Sequence, residues 1–249
     1  MKTKLGPLGV LSVARELRRG AGDRRPLAVA GAHELVPLLA RELRAGGDAS
    51  AVVEQRVEGA AALVWLGAPD EEQLRAATRA GTPIVAVSDA PQLPYVLATD
   101  IVRVPPGQGF PLDEIAAAVA RKLGEDGTSL AARLPILRRP LCDAMIASFA
   151  KRNGMVSAAI FVPGVDMPVL TLNQIRLVLR IAMAYGQQID RNRAMELLGV
   201  VGAGFGFRAA ARELLDFVPV AGWAVKGAIA YAGTKAVGEG AVRYFEARG

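Results

Sequence analysis

Ala61-Ala62-Leu63-Val64-Trp65-Leu66-Gly67-Ala68-Pro69-Asp70-Glu71-Glu72 is the stretch on which the fold turns. Its six consecutive apolar residues, bounded by Gly-Ala-Pro, read as a strand buried on both faces. Asp70 stands where a carboxylate caps a helix N-terminus, and a helix from Glu71 to Ala80 follows until Gly81-Thr82-Pro83 stops it. The same alternation continues on either side. Leu27 to Ala30 reads as a short buried strand, and Glu34 to Arg44 as a helix closed by Gly46-Gly47. Val52 to Val57 fits an edge strand. Ile84 to Val87 and Ile101 to Val104 read as further strands. Pro111 to Leu123 reads as a helix with Asp113 and Glu114 in its first turn, where the helix dipole favours acid. Buried strands alternating with helices predict a small parallel, three-layer α/β domain over residues 24–125.

Gly124 to Ser129 has the polar and glycine content of a linker, which places a domain boundary near Pro135. Strand signals stop there. Leu141 to Lys151, Val169 to Tyr185, Asp190 to Leu198, Phe207 to Phe217 and Trp223 to Arg243 read as helices, so residues 136–249 are expected to form an all-helical bundle. In the second of these, Asn173, Arg176, Arg180 and Gln187 make a narrow polar stripe, and the rest of the helix needs a cover of protein or lipid. Residues 1–23 hold a separate amphipathic helix, Leu8 to Arg19, ended by Gly20 and Gly22. Phe161-Val162-Pro163 and Phe217-Val218-Pro219 each open a helical run that reaches an Ala-Tyr pair, a degenerate internal repeat.

Composition narrows the chemistry. The 249 residues are 52% apolar but only 5% aromatic, which favours close packing of small residues. One cysteine, Cys142, excludes an internal disulfide, and one histidine, His33, argues against a histidine-built metal site or a triad. No metal and no cofactor are expected. The net charge of +6 lies wholly in one half. Residues 1–135 carry 16 Lys and Arg against 16 Asp and Glu, leaving 30 − 16 = 14 against 24 − 16 = 8 for residues 136–249. A half that is both apolar and basic points to an anionic membrane surface or an acidic protein partner. Arg15, Glu16, Arg18 and Arg19 close the first apolar run early, so a cleaved signal is not expected and the protein is expected to be cytoplasmic, at most peripheral at the inner face of the cell membrane.

The chain order of strands and helices in the first domain is that of a small GTPase. A phosphate loop there needs Gly-x4-Gly-Lys-Ser/Thr, yet the turn reads Gly31-Ala32-His33-Glu34-Leu35-Val36-Pro37, without the lysine or the hydroxyl and with an acid that repels phosphate. Ser88-Asp89-Ala90 stands where an Asn-Lys-x-Asp base-reading motif belongs. Gly199, Gly202, Gly204 and Gly206 follow no strand and are wrongly spaced for a dinucleotide loop. In the helical half, Asp166 sits within an apolar run and is expected to cap the next helix or to pair with Arg176 or Arg180. Arg208 and Arg212 lie one turn apart and suit a phosphate or lipid headgroup, although Arg212 can equally pair with Asp216. Lys226 interrupts the apolar run Phe217 to Thr234. Its central charge costs about 2.5–3.5 kcal/mol on insertion, so peripheral contact is expected rather than a span.

Phe161-Val162-Pro163-Gly164-Val165-Asp166-Met167-Pro168, Gln174, Arg176, Tyr185-Gly186-Gln187, Glu196-Leu197-Leu198-Gly199, Arg208 with Arg212, and Pro219 through Gly222-Trp223 to Ala230-Tyr231-Ala232-Gly233-Thr234 resemble one helical family. It is the GTPase-associated domain-of-unknown-function family 697, found behind Era-like GTPases and in some inner-membrane proteins. The resemblance covers residues 136–245. It implies a helical companion of a GTPase domain, with Trp223 among its motif residues and no catalytic residue.

The expected function is therefore non-enzymatic: a degenerate GTPase-like domain joined to a helical domain that docks on a membrane surface or a protein partner, with a homo-oligomer in keeping. An alternative is a nucleotide enzyme with an atypical phosphate loop. Nucleic-acid binding, suggested by a pI near 9.8, is disfavoured by scarce aromatics and intermixed carboxylates.

Overall fold

The computed structural model describes residues 22–104, 107, 109–159, 167–188 and 222–248, together with Val13. Two compact units divide between Ala144 and Met145. Gly22–Ala144 forms the first. Its sheet is built from β1 (Leu27–Gly31), β2 (Val52–Glu54), β3 (Ala62–Leu66), β4 (Ile84–Val87) and β5 (Ile101–Val102), all parallel, in the order β2-β1-β3-β4-β5. That is the flavodoxin-like doubly wound order. Its helices are α1 (Val36–Leu43), α2 (Glu71–Arg79), α3 (Leu112–Leu123), α4 (Thr128–Arg133) and the first turns of α5 (Pro135–Ala159).

Every residue of β3 is buried, as its apolar run predicts. Because side chains alternate across a strand, Leu63 and Trp65 join Ala28, Ala30 and Ala86 on one face, where Leu74 and Ala77 of α2 and Leu93 cover them. Val64 and Leu66 fall on the other face with Leu27 and Val29, the side left for α1 and α3. Both edge strands are very short, and each has a guanidinium nearby on a backbone carbonyl. Arg44 donates to Val52 O at 3.0 Å beside β2, and Arg121 to Thr99 O at 2.8 Å just ahead of β5. Such edges offer little to a stray strand.

The linker expectation is corrected. Residues Gly124–Gly127 form a 3-10 turn that runs into α4. Thr128 Oγ1 donates to Glu125 O, while Leu130, Leu134, Leu137 and Leu141 are buried. Packing of these leucines overrides the local composition. The division between units accordingly falls inside α5, ten residues beyond the expected 135, as the ranges Gly22–Ala144 and Pro135–Ala159 state. Arg133 fastens this helical layer, donating to Arg25 O at 2.7 Å, with the Asp48 carboxylate at 3.9 Å.

The second unit comprises the rest of α5, α6 (Met167–Ala184) and α7 (Gly222–Glu246) among the described residues. The helices expected over 190–198 and 207–217 lie outside the described residues, as does the N-terminal helix apart from Val13, which is helical and buried. At the far end of this unit Tyr185 stacks on Phe245 with centroids 5.8 Å apart, fastening the end of α6 to α7.

One buried ion pair ties α3 to the chain entering β5. Asp100 is 4% exposed, with Lys122 Nζ 2.6 Å from one carboxylate oxygen and Arg121 3.9 Å from the other. Lys122→Met should leave that carboxylate poorly compensated and remove about 2–3 kcal/mol, less than a fully buried pair loses because the lysine is partly exposed. Adding Asp100→Asn to that variant should restore much of the loss in urea unfolding. A double variant no more stable than Lys122→Met would rule the pair out as the cause.

Candidate functional site

In a doubly wound sheet a ligand sits outside the carboxyl ends of the strands where the order reverses, here between β1 and β3. The ladder runs on past the strand ends here: Ala32 N–H donates to Leu66 O between β1 and β3, and Gly67 N–H to Val87 O between β3 and β4, both at 3.0 Å. Gly31 adopts φ +111, and a Cβ there would lie 2.2 Å from Leu66 O, so only glycine permits the approach. Gln55, itself at φ 56, covers the polar end of β1. Its Oε1 accepts from Gly31 N–H at 3.3 Å and its Nε2 donates to Gly31 O at 3.1 Å.

A phosphate at such a crevice relies on free N–H groups at the helix that follows β1. The N–H groups of Leu35 and Val36 both donate to Ala32 O at 3.0 Å, and Pro37 has none. The charges nearby are acidic as well. Glu34 is exposed beside α1, and Asp70 caps α2, accepting from Gln73 N–H at 3.1 Å ahead of Glu71 and Glu72. The acidic charges here oppose an anionic ligand, and the Leu35 and Val36 amides are already taken. Among the described residues no group of three or more His, Cys, Asp or Glu side chains is placed to hold a metal ion.

The helical unit holds a second polar centre, buried rather than open. Thr234 of α7 and Asn153 of α5 are both 0% exposed. Asn153 Nδ2 donates to Thr234 Oγ1 at 2.9 Å, Gln174 Nε2 of α6 donates to the same oxygen at 3.3 Å, and Thr234 Oγ1 donates to Ala230 O at 2.8 Å. One hydroxyl thus uses its donor and both acceptor positions. Asn173 Nδ2 donates to Asn153 Oδ1 at 2.7 Å, so the asparagine expected on a polar outer stripe faces inward instead. Close backbone approach makes the network reachable: a Cβ on Gly227 would lie 2.9 Å from Gly154 O, so α5 and α7 cross almost in contact.

Of the residues singled out in the sequence, Arg176 and Arg180 stand one turn apart on α6, half-buried and each engaged by other groups. Lys226 is half-buried near the start of α7 and is likewise engaged, and Trp223 lies in the first turn of that helix. Asp166, Arg208 and Arg212 lie outside the described residues. Sequence reasoning missed Gln55, Asn153 and the bonding roles of Gln174 and Thr234. Polar residues beside glycine in apolar helical runs, as in Asn153-Gly154, were the available signal. Comparison with known protein families, curated proteins and solved structures yields no match for this chain.

Thr234→Val keeps the shape but leaves two buried amide donors without their acceptor. A loss of about 2–6 kcal/mol is expected from roughly 1–3 kcal/mol for each of the two unsatisfied groups, whereas Thr234→Ser should lose less than about 1. Equal melting temperatures for the valine and serine variants would show that the hydroxyl matters only as volume.

Proposed function

We propose that this protein is a non-catalytic docking module, a degenerate GTPase-like α/β domain attached to a helical unit that meets an anionic membrane surface or an acidic protein partner. The observation that carries this reading is the engaged and acid-flanked carboxyl edge of the sheet between β1 and β3. A nucleotide enzyme with an atypical loop gains no support from it, because the Leu35 and Val36 amides already have an acceptor and Pro37 offers none.

Three further features support docking by the helical unit. The positive excess of the chain lies in residues 136–249, where 14 basic residues face 8 acidic ones. Lys151, Arg152 and Met155 are exposed on adjacent turns of α5, and the Arg152 guanidinium sits 5.0 Å from the centre of the Phe149 ring. No helix among the described residues is long and apolar enough to cross a membrane. The resemblance to the GTPase-associated helical family points the same way.

Calorimetry with GTP and magnesium should detect no binding at micromolar affinity. Co-sedimentation with vesicles containing phosphatidylserine should show binding that 1 M salt reverses, since the Debye length then shrinks to about 3 Å. Replacing Lys151 and Arg152 by glutamine should weaken it about 30-fold, from roughly 1 kcal/mol for each basic group near the surface. Tight GTP binding would overturn the non-catalytic half of the reading. Binding unaffected by salt and by the double replacement would overturn the electrostatic half.

A further inference from the structure

The outer face of α7 carries Val225, Ala228, Ile229, Ala232 and Ala236 at helical spacing, and all five are exposed, Val225 to 39% and Ile229 to 42%. The opposite face presents Gly227, Thr234 and Gly238, each closely packed on α5 or α6. We infer that the outer stripe pairs with the same stripe of a second copy of this chain, antiparallel about a two-fold axis between Ala230 and Tyr231.

The order of side-chain sizes favours a second copy over any other occupant. Reversed about that point, Val225 meets the partner's Ala236 and Ile229 meets the partner's Ala232. Each large residue therefore faces a small one, and two such helices approach without void or clash. At the end of the stripe Glu239 is engaged by Lys235 at 3.7 Å and Arg243 at 4.0 Å, so these charges border the apolar contact rather than enter it. A lipid surface would bury the same residues without regard to their order of sizes, whereas a second copy uses that order. The stripe spans only about 18 Å at 1.5 Å per residue. One such helix pair buries less than the roughly 1,000 Å² of lasting interfaces, so the dimer is weak, with a dissociation constant in the micromolar range. The inference does not rest on the docking function proposed above, which uses the basic face of α5.

Sedimentation velocity of the full chain over about 1–200 µM, a range that brackets such a constant, tests it. The wild type should pass from monomer to dimer with concentration. Ile229→Lys and Ala232→Arg should stay monomeric with unchanged melting curves. A wild type that remains monomeric throughout overturns the inference, as does a lysine or arginine variant that dimerises like the wild type. A marked drop in melting temperature for both stripe variants also overturns it, because the face would then be covered by the chain's own residues. Loss of vesicle binding by these variants, with the wild type monomeric, would assign the stripe to lipid instead.

Discussion

The parallel ladder that joins β3 to β1 on one side and to β4 on the other leaves neither face of the strand to water, and the layers of the α/β domain follow from that. A parallel strand cannot be reached by a tight hairpin, so the chain has to pass over a face of the sheet between strands, as it does through α1 and α2, and α3 returns over the sheet after the last strand. The ends of the sheet are finished by charge rather than by apolar burial. Arg44 and Arg121 take up carbonyls beside the edge strands, and Asp100 with Lys122 fixes α3 to the chain that enters β5.

The helical unit solves a different problem. Helices rich in alanine and glycine approach closely, as Gly154 and Gly227 do, but small apolar faces slide past one another with little change in energy. The Thr234 hydroxyl answers this by accepting from two amides on two other helices while donating within its own. Shifting any of the three helices by one residue would strand a buried polar group. Such a network is worth more in register than in net stability, since burying the amides already costs desolvation.

These two devices bear on function in opposite ways. Sheets of this order host many chemistries, so the fold alone assigns none, and the site decides. Here Gln55 and acidic side chains line the carboxyl edge, whereas the outer surfaces of α5 and α7 carry basic and apolar side chains. That contrast supports the docking role proposed above.

Much of this was legible in the amino-acid order. Strand and helix types over residues 24–123, the Asp70 cap, the short edge at Val52 and the missing phosphate-loop lysine are all local features, and local periodicity and composition report them directly. Tertiary structure alone decided the rest. Spatial order is a matter of which distant strands pair, and no local run of residues states that the sheet is β2-β1-β3-β4-β5. Gly124 to Ser129 has linker composition, yet leucines further along the chain draw it into helix. Asn173 sits on a polar stripe by spacing and bonds Asn153 in the core, because whether a polar side chain faces water or a partner is settled only when helices far apart in the chain cross.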